Sequence, residues 1–151
     1  MTMIRNATVS DASRIAEILI FNKRMYYRTI FNNDKVSFGE MQVYPLAKEY
    51  VENPDKLRNI WVYDDEFVKG MLRMDGTEIS ELYVDPFFQN QGIGSKLMEY
   101  AIKQKNGNCL WVLEKNVKAI RFYKKQGFVF TGERRFEKGT TVTVIQMKQK
   151  R

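Results

Sequence analysis

Apolar residues change their period several times along the chain, and each change marks an element. Met3–Thr8 reads as a short strand. Ser10 or Asp11 can cap a helix that follows, with Ile15, Ile18 and Leu19 on one face and a looser continuation to Phe31. Asn32-Asn33-Asp34 breaks that pattern, and a second helical stretch spans Glu40–Glu52 before Asn53-Pro54 stops it. The period then drops to two. Asn59–Tyr63, Phe67–Met74 and Thr77–Val84 read as an antiparallel meander, with turns at Asp64-Asp65 and Asp75-Gly76.

Beyond Asp85-Pro86 the helical period returns, from Gly92 to Lys105, with Ile93, Leu97 and Ala101 on one face. Cys109–Leu113 is almost wholly apolar, the pattern of a strand covered on both faces. Strand, crossover helix and strand make a βαβ unit, so Thr77–Val84 and Cys109–Leu113 are expected to run parallel. Asn116 can cap a helix over Val117–Gln126, with Gly127 at the C′ position. Phe128–Arg135 and Thr140–Met147 then form a hairpin across Lys138-Gly139. The whole reads as one mixed α/β domain over 1–151, without repeat or linker.

Composition narrows the class. Val, Ile, Leu and Phe make up 41 of 151 residues, enough for a folded core. No apolar run reaches the roughly 18 residues that span a bilayer, and the first residues have no apolar signal core, so a cytoplasmic protein is expected. Cys109 is the single cysteine and histidine is absent, which excludes an intrachain disulfide and His-based triads and leaves little for a transition metal. The net charge of +7 is uneven. Residues 1–95 carry 11 Lys/Arg against 14 Asp/Glu, and residues 96–151 carry 14 against 4. A basic half suits a polyanionic ligand, with Lys96, Lys124 and Lys125 as the steering cations, or simply a solvated face.

The stretch that carries chemistry is Glu81-Leu-Tyr-Val-Asp-Pro-Phe-Phe-Gln-Asn-Gln-Gly-Ile-Gly-Ser95. A strand ends, and a glycine-bearing loop opens a helix whose first N–H groups form an anion site. It lacks the Lys of a P-loop and the third glycine of a dinucleotide fingerprint. Gln89-x-x-Gly92-x-Gly94 resembles the acyl-CoA signature of the GCN5-related N-acetyltransferase (GNAT) family. Leu110-Trp-Val-Leu-Glu-Lys-Asn116-x-x-Ala119-Ile-x-Phe122-Tyr123-x-x-x-Gly127-Phe128 resembles that family's next motif, in the same βαβ frame.

The resemblance implies a central, mostly antiparallel sheet with one splayed parallel pair and about four flanking helices, forming a single acyl-CoA N-acyltransferase domain. It implies acetyl-CoA as co-substrate, no metal, and a small-molecule or peptide amine as acceptor, attacked directly in a ternary complex. Neither membrane nor nucleic acid is expected as a partner, and a homodimer stays open. Pantetheine would pair with Leu82, Tyr83 and Val84. The loop of Gln89, Asn90, Gln91, Gly92, Ile93, Gly94 and Ser95 would hold the pyrophosphate. Asn116 would bond the pantetheine arm, and Ala119 and Phe122 would line the cofactor side of their helix. Tyr123 stands where the family often has the acid that protonates the leaving thiolate.

Acetyl transfer needs a neutral amine, yet a lysine-type amine has a pKa of about 10.4, so a base or a desolvating pocket must take its proton. Glu81 and Glu78 are the candidates, with Glu81 preferred, or a glutamate acts through water. Strict alternation puts the two on opposite faces unless a bulge near Val84 intervenes. Each residue also has a plainer reading: Tyr123 as core, Asn116 as a helix cap, Phe87-Phe88 as loop anchors, the glutamates as exposed strand carboxylates. Cys109 as a nucleophile lacks a histidine and sits at the wrong end of its strand. Tyr26, Tyr27, Phe31 and Tyr44 suggest an aromatic acceptor pocket. Two other classes remain, a regulatory acyl-CoA binder without turnover and a basic nucleic-acid module. The acceptor itself is not legible.

Overall fold

The computed structural model describes residues 3–31 and 42–150, and the side chains of these except 26–31. The break at Asn32–Asp34, the start of the second helix at Glu40, and the side chains of Tyr26, Tyr27 and Phe31 therefore lie outside the described residues. The elements are β1 (Ile4–Asn6), α1 (Ala12–Phe31), α2 (Val43–Glu52), β2 (Ile60–Asp65), β3 (Phe67–Asp75), β4 (Glu78–Val84), α3 (Ile93–Lys105), β5 (Cys109–Leu113), α4 (Val117–Lys125), β6 (Phe128–Phe136) and β7 (Thr143–Gln149). Short 3₁₀ turns lie at Val9–Asp11, Pro54–Asn59 and Pro86–Phe88.

The seven strands form one sheet in the order β1-β2-β3-β4-β5-β7-β6. Every neighbouring pair is antiparallel except β4 and β5. The mixed α/β class and the parallel pair thus follow the sequence pattern. Two details differ. Asp64 and Asp65 belong to β2, and the turn residue is Glu66 with φ of 69°. The carboxylates read as turn formers instead pair with cations, Arg5 for Asp64 and Lys69 for Asp65. The bulge lies at Ser80 rather than near Val84: Arg73 faces Glu81 and Met74 faces Ile79, so Ser80 is the extra residue. One inserted residue restores the alternation, and Glu78 and Glu81 return to the same face of β4.

Two apolar layers cover the sheet. On one side Ile15, Ile18, Leu19, Ala47 and Tyr50 of α1 and α2 pack on Ile60, Val62 and Met71. On the other, Ile93, Leu97, Met98 and Ala101 of α3 pack on Leu72, Ile79 and Leu110. Gly70 makes the second contact intimate. A Cβ there would stand 3.0 Å from Leu97 Cδ1 and 3.2 Å from Ile93 Cγ2, so only glycine lets α3 lie this close to β3.

The parallel pair touches at one place, Glu78 opposite Cys109, and then diverges. Side chains hold the divergence open. Asn22, 2% exposed on α1, donates from Nδ2 to the carbonyl of Val84 at 3.0 Å and to that of Ile18 at 2.8 Å. Gln89 Nε2 donates to the same Val84 carbonyl at 3.2 Å. The last carbonyl of β4 is therefore satisfied without β5. Arg14 fixes the next residues. Its guanidinium donates to the carbonyl of Val68 and to the buried carboxylate of Asp85, whose other oxygen accepts from the N–H of Phe87 at 2.8 Å. One side chain of α1 thus ties β3 to the loop after β4.

Arg14→Leu leaves Asp85 shielded from water without its cation. The expected loss is about 3 kcal/mol, read as a lower urea midpoint with an unchanged slope, and Asp85→Asn in the Arg14→Leu background should recover part of it. An unchanged midpoint in Arg14→Leu would show that the pair ties nothing together.

Candidate active site

The divergence of β4 from β5 opens a cavity of about 460 Å³. Its walls are residues 79–84 of β4, Trp111, Val112 and Leu113 of β5, and Lys118, Ala119, Phe122 and Tyr123 of α4 with its N-cap Asn116. Its ends are chemically different.

At one end stands the N-terminus of α3. Gly92 is its N-cap with φ of 83°, a left-handed conformation that a side chain strains, and no side chain caps the helix. Among the described residues no group accepts from the amides of residues 91–95. Such a cluster of N–H groups at a helix start attracts an anion. Gly94 follows, and Phe122 would lie 3.5 Å from a Cβ placed there, an ordinary contact. Lys118 of α4 reaches across to the loop, donating to Gln89 Oε1 at 3.4 Å, and Gln126, the residue after α4, donates to Ser95 Oγ in the first turn of α3 at 3.2 Å.

Of the loop residues named from sequence, Gln89, Asn90, Gly92, Ile93, Gly94 and Ser95 line the cavity, and so do Leu82, Tyr83 and Val84. Gln91 is exposed and outside the lining. Asn116 is both a cap and a wall. Its Oδ1 accepts from the N–H of Ala119 at 3.2 Å, and among the described residues its amide nitrogen has no acceptor. Tyr123 is half-buried, edge-on to Phe122 and Phe128 with centroids 5.5 and 6.2 Å away. Lys96, Lys124 and Lys125 do not line the cavity; Lys96 lies 3.4 Å from the Tyr63 hydroxyl instead. The lysine at this end is Lys118.

The other end is a charge cluster. Glu81, with its side chain 11% exposed, accepts from Arg73 Nε at 2.8 Å on one oxygen and lies 3.4 Å from Lys23 Nζ on the other. Tyr50 of α2 stands behind it, 5% exposed. Burial first, and then the charge of Glu81, push its hydroxyl up to about 12, so it stays protonated. Glu78 lies outside the cavity lining, its Oε2 accepting from Ser80 at 3.3 Å. Cys109 is also outside. Burial, and then Glu78, raise its thiol above the ordinary value, which disfavours the thiolate a nucleophile needs. Tyr44 is 75% exposed and lines nothing here.

The structure therefore brings Glu81 and Tyr123 into one cavity with the glycine loop, and adds to its lining Asn22, Lys23, Arg73 and Lys118, which the sequence did not point to; Tyr50 stands beside Glu81 outside the lining. Asn22 carried a signal: it lies three and four residues after Leu19 and Ile18, a polar residue inside an apolar stripe. Arg73 and Lys23 carried none, because their meeting with Glu81 depends on the bulge and on the packing of α1. Among the described residues no three acidic or cysteine side chains cluster as metal ligands, and no helix is long and apolar enough to cross a membrane.

Comparison with known proteins agrees with this geometry. Residues 56–130 match the family model described as acetyltransferase (GNAT) domain. A peptidyl-lysine N-acetyltransferase, YjaB of Salmonella typhimurium, is 37% identical over 75 residues, which cover 48% of this chain and 52% of that protein; the match thus spans about half the relative's length. The peptidyl-lysine N-acetyltransferase YiaC of Escherichia coli is 28% identical over 135 residues, 83% of this chain and 82% of that one. An N-acetyltransferase structure from Staphylococcus aureus superposes with a TM-score of 0.75 at 17% identity, covering 97% of this chain and 99% of the other. With the splayed parallel pair, the glycine loop and the second motif all in their expected places, the chain belongs to the GNAT acetyltransferase family.

Proposed function

We propose that the protein is an N-acetyltransferase that moves the acetyl group of acetyl-CoA to the side-chain amine of a peptidyl lysine. The observation that carries the reading is one continuous cavity joining an uncapped helix N-terminus, the splay between β4 and β5 and a shielded carboxylate. Acetyl-CoA supplies the activated acyl group and a chain of phosphates. The named homologues that act on peptidyl lysine support the acceptor class.

The residues divide the work. The amides of Gln91, Gly92, Gly94 and Ser95 neutralise the pyrophosphate. The edge of β4 that faces away from β3, parted from β5 beyond the Glu78–Cys109 pairing, holds the pantetheine alongside Leu82–Val84 as an added strand does, and Asn116 offers its amide hydrogens to the same arm. Backbone N–H near Val84 stabilises the oxyanion. Glu81 takes the proton of the incoming ammonium, directly or through water. Tyr123 hydrogen-bonds the leaving sulfur. A thiol pKa of about 8.5 against about 10 for tyrosine makes complete proton transfer uphill, so Tyr123 acts largely by orientation.

The decisive experiment measures thiol release from acetyl-CoA against a panel of lysine peptides and small amines. Turnover with lysine peptides is expected; turnover with small amines alone would overturn the acceptor class, and tight binding without turnover on any amine would overturn the enzyme. Gly92→Asp should abolish acetyl-CoA binding by calorimetry, whereas Gly94→Ala should bind nearly as the wild type does, because its methyl group has room against Phe122. Tyr123→Phe should lower kcat by about 10- to 100-fold, at the low end of general acid effects, with cofactor affinity unchanged. Glu81→Gln should lower kcat by about 100-fold or more, in the range of general base effects, and Glu78→Gln should leave it near wild type; the reverse result would move the base to Glu78.

A further inference from the structure

Among the described residues two lysines line the cavity, Lys118 and Lys23. Lys118 serves the loop end through Gln89. Lys23 projects from α1 into the opposite end, its side chain 28% exposed and its Nζ 3.4 Å from Glu81 Oε2. The chain thus places a primary amine of its own beside the carboxylate assigned to deprotonate an incoming one. The adjacent Asn22 is bonded to the carbonyl of Val84, which fixes this turn of α1 against the end of β4.

We infer that Lys23 is itself an acetyl acceptor, and that the protein acetylates this residue within one molecule when no external amine is present. The inference rests on the acetyltransferase reading above. The step is balanced with the groups named there. The Lys23 ammonium gives a proton to Glu81 or to water. The neutral Nζ forms a C–N bond to the acetyl carbon, the C–S bond breaks, and the sulfur leaves as CoA thiolate that takes up a proton. No other reactant is needed.

The charge arrangement suits the product. Glu81 keeps Arg73, whose Nε donates at 2.8 Å, after Lys23 becomes a neutral amide, so acetylation leaves no shielded carboxylate without a cation. Before acetylation Glu81 has two cations, and the second occupies the place an acceptor ammonium would take. Acetyl-Lys23 would fill the acceptor end with a neutral group. A molecule that has modified itself should therefore turn over lysine peptides more slowly, a brake that acts when acetyl-CoA is present without acceptor.

The test incubates the full chain with acetyl-CoA alone and maps acetyl groups by peptide mass spectrometry, with urea-unfolded protein as the control for chemical acetylation. Lys23 is expected to be modified about tenfold or more faster than exposed lysines such as Lys103, Lys124 and Lys125, as proximity inside one site allows. The rate per molecule should not change with protein concentration, and unfolding should abolish the preference. Lys23→Arg, which keeps a cation beside Glu81, should lose this acetylation and should resist slowing after preincubation with acetyl-CoA. Thiol release with a lysine peptide is measured in parallel. Peptide turnover with Lys23 unmodified would overturn this inference and leave the enzyme reading standing. Failure of both would overturn both. A Lys23 rate that rises in proportion to protein concentration, or equal acetylation of exposed lysines in the folded chain, would also overturn it.

Discussion

The carbonyl of Val84 decides the architecture of the site. In an unbroken sheet the end of β4 would find partners in β5, and the two strands would close on each other. Here the carbonyl accepts from Asn22 and Gln89, one residue from the helix before the meander and one from the loop after it. With that demand met by side chains, β4 can leave β5 after a single pairing without stranding a buried acceptor. Gln89 Nε2 also donates to Asn22 Oδ1 at 3.3 Å, so the two amides orient each other. The cavity, the splay of β4 from β5 and the position of the loop all follow from this small polar knot.

The two ends of the cavity are built by different parts of the chain. The loop end is local: β4, its glycine loop and α3 follow one another in sequence, and α4 leans over them. The charge cluster is assembled at long range, from Lys23 of α1, Arg73 of β3, Glu81 of β4 and Tyr50 of α2. This difference explains what could be read without a structure. The strands around Asp75-Gly76, the helix after Gly92, Cys109–Leu113 and the cap at Asn116 all announce themselves by period, turn chemistry or a cap within a few residues. The placement of Glu81 depends on a bulge at Ser80, which has no signature in side-chain pattern, and on the tertiary approach of α1. Asp64-Asp65 misled for a related reason: carboxylates favour turns in isolation, but Arg5 and Lys69 give these two a better use inside a strand.

The charge asymmetry has a similar lesson. The basic second half of the chain is real, yet among the described residues only Lys118 of its cations lines the cavity. Net charge describes the field a ligand meets on approach, whereas contact is set by which side chains the fold turns toward the cleft.

The strand order has a consequence for biogenesis. β7 lies between β5 and β6, although both precede it in the chain. A nascent chain that has made α4 and β6 still has a gap beside β5, and Leu110 and Val112 wait for Ile145 and Met147 to cover them. Synthesis must therefore run through Gln149 before the sheet can zip up, and the wall that includes Val144 is among the last parts to form. Pairings of such long sequence separation are slow to close. The open edge of β5 would be the part of the molecule most exposed to wrong partners while it emerges, and the most in need of shielding until the final strand arrives.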